Sequence, residues 1–177
     1  MSNPRAHFPG AHSEWARFDG PAGTQMVDVA IRAASEWSAG GNNANTHGAF
    51  AQAHATDALL ERARVVVGQL LDADPRGVCF GANMTTMTFA LTRAIARTLR
   101  PGDRIVGTQL DHDANVSPWR IACEESGAEH VLAPFSIPDG RLDMARLADL
   151  ITPNTKWVAV TGASNLIGTM PDPVSYT

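Results

Sequence analysis

The stretch RIVGTQLDHDANVSPWRIACEESGAEHVLAPF, residues 104–135, decides the fold class. Short apolar runs at 104–109 and 130–135 predict strands, and the apolar spacing between Pro118 and Ser126 predicts a helix. Strand, helix and strand in this order, over about 30 residues, are typical of a parallel βαβ unit. We therefore predict an α/β fold and follow the pattern outward from this segment.

The alternation continues on both sides of that unit. It predicts a strand at 77–80 and a helix at 85–100 before it, and a helix at 143–151 and a strand at 156–161 after it. The four predicted strands begin about 26 residues apart, as in a βαβ series. Two helices precede them. The first is capped by Thr24 and runs to about Trp37, and Gly40 and Gly41 end it. The second runs from about Thr56 and is stopped by Asp74-Pro75.

Composition limits the classes of function. The chain has 177 residues, 44% of them hydrophobic and 18% charged, which is typical of a globular domain. A formal net charge of -4 gives no general attraction to nucleic acid or to an anionic membrane. The first residues lack an apolar core, so we expect no secretory signal and a cytoplasmic location. Two cysteines, Cys79 and Cys123, form no metal or disulfide pattern, and we expect both to be packing residues.

The organisation along the chain predicts an arm and one domain. Residues 1–23 are rich in Pro, Gly and His and are expected to be extended, and residues 24–177 are expected to form the domain. In parallel α/β sheets, ligands bind where strands end and helices begin. The segments to inspect are therefore GANMTT (81–86), LDHDAN (110–115) and GASNLIGT (162–169).

The residues of each segment alone allow both a functional and a purely structural interpretation. Asn83, Thr85 and Thr86 could bind a phosphate at a helix N-terminus, or Asn and Thr could simply cap the helix. His112 could stack on a flat ring, move a proton or lie in a surface turn. Its acidic neighbours could suggest a metal site, but there is no i,i+4 histidine partner, so we do not expect a metal ligand. Asn165 could bond a ligand oxygen or only form a turn. The loop NNANTHG, with Asn45 and His47, is similarly ambiguous.

The order of the segments resembles the class V aminotransferase family, in particular its cysteine desulfurase-like branch. FDGPAGTQ (18–25) resembles the family's entry segment, and NANTHGAF (43–50) is similar to its N-x-H-R-G-type loop. GANMTTMTFAL (81–91) resembles its phosphate-binding turn, and LDHDANVSPWR (110–120) its E-H-H-A-N-x-x-P-W segment. The block 140–169 resembles D-x-x-x-L…T-K-x-V-x-V-x-x-x-S-N-x-x-G-T. The similarity extends from about Phe18 to Pro171.

The resemblance implies a fold, a cofactor and roles for particular residues. It implies the N-terminal part of a three-layer large domain of the kind found in pyridoxal-phosphate transferases, with a mostly parallel sheet and helices on both faces. The cofactor would be pyridoxal 5'-phosphate, the substrate a small amino acid, and the full-length protein a homodimer with transferase or lyase activity. The implied cofactor-binding residues are Met84, Thr85, His112 and Asn165, with His112 also catalytic. Asn45 and His47 would lie near the substrate.

Three substitutions and two expected absences depart from the family pattern. Asn83 replaces the usual Gly, and Asn tolerates the positive φ that such a turn can require. Thr86 replaces a Glu, and Asp113 replaces a second His. The family's Schiff-base lysine and its ring-nitrogen aspartate come later than Asn165, so we expect neither in residues 1–177.

A single lysine and the open alternatives complete the interpretation. Lys156 is the only lysine, and it matches the family's T-K at the start of a strand, so we expect a strand-edge residue and not the Schiff-base lysine. The alternative to an incomplete enzyme is a catalytically incompetent domain that binds pyridoxal phosphate or phosphate, or that packs against a partner chain.

Overall fold

A computed structural model describes residues 3–11 and 14–172, which form helices and a small parallel sheet. The chain divides into two compact units, Met1–Phe80 and Gly81–Thr177. The predicted boundary between an arm and a domain at residue 23 remains a prediction. Residues 1–2 and 12–13 of that arm and 173–177 of that domain lie outside the described residues. The helices and strands are α1 (Asp28–Ala39), α2 (Ala51–Leu71), α3 (Met84–Ala96), β1 (Arg104–Thr108), α4 (Ser117–Ser126), β2 (Glu129–Ala133), α5 (Met144–Leu150) and β3 (Thr155–Val158).

The sheet belongs to the second unit and is parallel throughout. Its strand order is β2-β1-β3, so β1 lies in the middle. Arg104 pairs with Glu129 on one side and with Thr155 on the other, which aligns the starts of all three strands. Their carboxyl ends therefore meet at one edge, which is where the ligand-binding segments of such a sheet lie.

Apolar residues cover both faces of the sheet, because neighbouring residues of a strand point to opposite sides. Ile105 belongs to a buried cluster with Ile95 and Leu99 near α3 and with Trp119 and Cys123 of α4. Val106 belongs to a second cluster, with Leu110, Ala133, Leu142 and Leu147 of α5. Helices therefore pack on both faces, which confirms the predicted three-layer arrangement around a parallel sheet.

The predicted strand at 77–80 is wrong, and the described residues form three strands rather than four. Asp74 accepts a hydrogen bond from the backbone N–H of Arg76 and caps a 3₁₀ turn over Pro75–Gly77. Cys79 and Phe80 that follow are exposed. The exposure of Cys79 also corrects the expectation that both cysteines pack in a core, whereas Cys123 is buried.

The helix starts in the first unit also differ from the prediction. Helix α1 begins at Asp28, and Thr24 does not cap it, because extended Val27 is its N-cap. Helix α2 begins at Ala51, since Thr56 lies inside it and donates its hydroxyl to the carbonyl of Gln52, one turn earlier.

Helix ends follow local signals. Gly40 ends α1 as predicted. Helix α2 ends at Leu71, before Asp74-Pro75, because Asp72 adopts the left-handed conformation at φ 49°. Helix α3 ends at Ala96 and not at Arg100, since the Thr98 hydroxyl and N–H both donate to the carbonyl of Ile95.

Among the described residues, none of the helices combines the length and the apolar character that crossing a membrane requires.

Candidate functional site

The N-terminus of α3 presents backbone donors that the helix itself does not use. Asn83 is the N-cap, and its side-chain oxygen accepts the N–H of Thr86 at 2.9 Å. The N–H groups of Met84 and Thr85, the first two residues of the helix, have no intrahelical acceptor. Together with the positive end of the helix dipole they could hold a phosphate.

The backbone of Asn83 differs from the expected one. Its φ of -168° is extended, so the turn does not need the positive φ that the replacement of Gly suggested. Asn83 therefore takes the capping role that its residue type predicts. Because its side chain accepts only the N–H of Thr86, the N–H groups of Met84 and Thr85 stay available. Capping by Asn83 and phosphate binding are therefore compatible.

His112 follows β1 and has a fixed ring orientation. Its Nδ1 accepts the backbone N–H of Ala114 at 3.0 Å, which caps the 3₁₀ turn Asp113–Asn115. A neutral imidazole that accepts at Nδ1 carries its proton at Nε2. The side chain is exposed, so the opposite edge of the ring is open to a ligand.

Asp111 joins three parts of the second unit through one carboxylate. It accepts the Thr108 hydroxyl at 2.6 Å, the Asn115 side-chain amide at 2.9 Å and the backbone N–H of Thr161 at 3.2 Å. Sequence reasoning missed this residue, because Thr161 is 50 positions away in the chain. The signal that could have found it is an acid at the carboxyl end of the central strand.

Asn165 lies in a closed loop after β3. The loop is held by Ser164, which is 6% exposed and whose carbonyl accepts the N–H of Gly168 at 3.0 Å. The N–H of Ser164 donates to the carbonyl of Thr169 at 2.8 Å. Asn165 itself is exposed, so its side-chain amide is accessible to a ligand.

One cavity of about 310 Å³ brings His112 and Asn165 together. The segment after β1 and the segment after β3 both line it, as expected of two strand ends that share a sheet edge. Phe135 adds an aromatic wall and Leu166 an apolar one. A mostly apolar cavity with a few polar groups is typical of a small-molecule site. Met84 and Thr85 are not among its lining residues.

The two expected substrate residues lie in the first unit, each in its own cavity. Asn45 lines a cavity of about 510 Å³ with Trp37 and Thr56. His47 has a positive φ of 64°, and its backbone N–H donates to the carboxylate of Asp57 at 3.1 Å. The His47 side chain is 89% exposed. The structure therefore does not bring Asn45 and His47 into a single cavity.

Lys156 lies at the opposite end of the strands from the cavity. It is the second residue of β3, and its Nζ lies 3.5 Å from Oδ1 of Asp103, which directly precedes β1. His112 and Asn165 instead follow the carboxyl ends of β1 and β3. A lysine at the amino-terminal end of a strand agrees with the predicted strand-edge position.

Within residues 3–11 and 14–172, no three His, Cys, Asp or Glu side chains are grouped to hold a metal ion.

Comparisons with known proteins match most of the chain. The family model "Aminotransferase class-V" matches residues 17–175. An uncharacterized protein of Mycobacterium tuberculosis is 33% identical over 169 residues, covering 95% of this chain and 42% of that protein. The cysteine desulfurase CsdA of Escherichia coli is 32% identical over 182 residues, again covering 95% of this chain and 42% of the relative.

A solved structure supports the same fold. The apo cysteine desulfurase of Thermococcus onnurineus NA1 superposes with a TM-score of 0.86 at 22% identity, over 97% of this chain and 42% of that one. The chain thus spans less than half the length of these relatives.

Proposed function

The chain belongs to the aminotransferase class-V family, and from this membership we propose that it forms the N-terminal part of a pyridoxal-phosphate enzyme acting on a small amino acid. Cysteine is the first substrate to test, because relatives such as the Escherichia coli protein are named cysteine desulfurases. The observation that carries the proposal is the cavity that His112 and Asn165 share.

The donor set of the second unit fits this cofactor. The pyridine ring needs a flat partner and an amide for its hydroxyl, and the cavity offers the exposed imidazole of His112 and the amide of Asn165. The phosphate needs N–H donors, and the first turn of α3 supplies those of Met84 and Thr85. Phe135 lines the same cavity and gives it an apolar wall.

Each residue has a distinct task in the proposed site. When bound, pyridoxal phosphate withdraws electron density from the α-carbon of an amino acid. Met84 and Thr85 would hold the phosphate, and Asn165 would orient the ring hydroxyl. His112 would stack on the ring and could exchange a proton at Nε2, because Nδ1 is occupied by Ala114. Asn45 and His47 are proposed to line the substrate entrance of the complete enzyme.

The chain's own lysine supports binding rather than turnover by these residues alone. Lys156 pairs with Asp103 at the amino-terminal ends of the strands, away from His112 and Asn165. This observation favours the alternative that residues 1–177 by themselves bind the cofactor without completing the reaction. We therefore assign this part of the chain to holding and orienting the cofactor.

The test is a titration of the chain with pyridoxal phosphate, followed by absorbance. We expect saturable binding that His112→Ala weakens about threefold to tenfold, because a ring pair contributes about 0.5–1.5 kcal/mol. His54→Ala is the matched control, since His54 is an exposed histidine of α2, and it should titrate as wild type.

Three outcomes would contradict the assignments. An absence of saturable binding by the wild type, or equal affinities for the two histidine variants, would overturn the proposed site. A pyridoxyl adduct on Lys156 after borohydride reduction, located by peptide mass at stoichiometric cofactor, would overturn the strand-edge role of that lysine.

A further inference from the structure

We infer that Asp111 is a positioning residue whose carboxylate holds the segment carrying His112 against the segment carrying Asn165. The inference deepens the proposed function and rests on it for the identity of the ligand. Its structural part concerns only contacts within the second unit, so it can also be tested without any ligand.

The carboxylate of Asp111 lies where the chain leaves the sheet. Oδ2 accepts the hydroxyl of Thr108, the last residue of β1, and Oδ1 accepts the amide of Asn115 at the end of the 3₁₀ turn. These two bonds fix the backbone on both sides of His112. Because Thr108 is fully buried, water could not replace the carboxylate as the acceptor of its hydroxyl.

The third bond reaches the other segment. The backbone N–H of Thr161 donates to Oδ2 of Asp111 at 3.2 Å, and the Thr161 hydroxyl donates to the carbonyl of Ala163 at 2.7 Å. Buried Ser164 follows, and Asn165 comes next. One carboxylate thereby sets the separation between the segment of His112 and that of Asn165, the two polar walls of the cavity.

A second connection strengthens the same link. The side-chain oxygen of Asn115 accepts the indole N–H of Trp119 at 3.0 Å. The Trp119 ring lies 6.1 Å from that of Trp157 in β3, centroid to centroid. Trp119 is buried and Trp157 is 44% exposed, so the segment after β1 is tied to β3 through a half-buried aromatic pair as well as through Asp111.

Asp113 provides a matched control on the other side of His112. Its carboxylate accepts the Ser117 hydroxyl at 2.6 Å, within the same stretch of chain. Asp111→Asn and Asp113→Asn each remove one negative charge from a neighbour of His112. Only the first replaces an acceptor that reaches the segment after β3, so any difference between the variants reports position and not charge.

The experiment compares two ligands on the intact chain. Pyridoxine 5'-phosphate has the ring and the phosphate but no aldehyde, and inorganic phosphate probes the α3 end alone. We expect Asp111→Asn to weaken pyridoxine 5'-phosphate about tenfold, which is about 1.4 kcal/mol, and to leave phosphate affinity within about twofold. Asp113→Asn should remain within about twofold of wild type for both ligands.

A ligand-free measurement separates this inference from the proposed function. Amide exchange at Thr161, followed by NMR, should accelerate in Asp111→Asn and stay slow in Asp113→Asn. If wild type binds neither ligand, the proposed function fails, and the exchange rates alone decide the role of Asp111. If Asp111→Asn does not fold, Thr108→Val takes its place, because it removes one of the three donors with little change of shape. This variant should still accelerate exchange of the Thr161 amide above the wild-type rate.

The inference is overturned by either of two results. Equal weakening of ring binding in both asparagine variants would mean that charge near His112, and not position, matters. Unchanged exchange of the Thr161 amide in Asp111→Asn would mean that the carboxylate does not hold the second segment.

Discussion

The two units of the chain bury their apolar residues to very different extents. In the first unit, α1 has no buried residue, and α2 has only Ala53 and Gly68. In the second unit, both faces of the sheet carry buried clusters, one around Ile105 and one around Val106. The second unit therefore has a core made of its own residues, whereas the helices of the first unit expose much of their apolar surface.

This difference bears on which part of the candidate site is built by local structure. Most helical stability in proteins comes from burying an apolar face. The residues proposed to hold the cofactor lie on elements anchored in the two clusters. The two proposed substrate residues, Asn45 and His47, lie before α2, whose Val66 and Leu70 are exposed. The comparison predicts that substitutions in the second unit perturb the chain more than similar substitutions in the first.

The largest effect should come from the core of the second unit. Leu147 of α5 is 1% exposed, so Leu147→Ala should lower the free energy of unfolding by about 2–5 kcal/mol through lost contacts and a cavity. Leu70 of α2 is 81% exposed, and Leu70→Ala should change it by less than about 0.5 kcal/mol. Urea unfolding followed by tryptophan fluorescence measures both. Equal losses would show that the exposed face of α2 is covered in solution.

The same contrast explains where the sequence predicted the fold well. Between Arg104 and Val158, β1, α4, β2 and α5 match their predicted ranges to within a residue or two at most ends, because turn residues separate strongly periodic segments. The predicted starts of α1 and α2 are wrong, because alanine-rich helices have a weak apolar period. Thr56 also donates to a carbonyl one turn earlier instead of capping α2. The prediction of a strand at 77–80 is wrong because Asp74-Pro75 begins a 3₁₀ turn.

For the site, the sequence could indicate segments but not the contacts between them. The rule that ligands bind at the carboxyl ends of parallel strands predicted that His112 and Asn165 lie at one edge, and they share a cavity. The role of Asp111 could not be predicted, because its bond to Thr161 depends on β3 lying beside β1. Side-chain pairing across strands follows from sheet order, which local patterns do not specify.

A smaller effect should be a difference in thiol reactivity between the two cysteines. Cys123 is 2% exposed, and burial, with a contribution from Glu124, raises its thiol pKa to about 11. About one molecule in a thousand therefore carries the reactive thiolate of Cys123 at pH 8. Exposed Cys79 should react with a disulfide reagent at least about a hundredfold faster.

Single-cysteine variants make the assignment. Cys123→Ser should leave only the fast reaction, and Cys79→Ser only a slow one that becomes fast in urea. A single common rate for both thiols would show that the core around α4 opens as readily as the end of the first unit.

The smallest effect concerns a histidine inside the sheet. His130 of β2 lies against Gly107 of β1, since a Cβ built there would come within 3.2 Å of its Nε2. Among the described residues, this buried nitrogen has no hydrogen-bond partner. Burial, and then the positive charge of Arg120, lower the His130 pKa below its ordinary value of 6.5.

The sign of the pH effect follows from that direction. The folded chain favours neutral His130 more than the unfolded chain does, so the stabilisation is complete above pH 6.5 and is lost as the pH falls below it. Wild type should therefore lose unfolding free energy between pH 7 and pH 5 more steeply than His130→Gln. His54→Gln, which changes an exposed histidine of the first unit, should keep the wild-type slope. Equal slopes for wild type and His130→Gln would mean that water reaches the imidazole, and the contrast between the two units would then not extend to this strand.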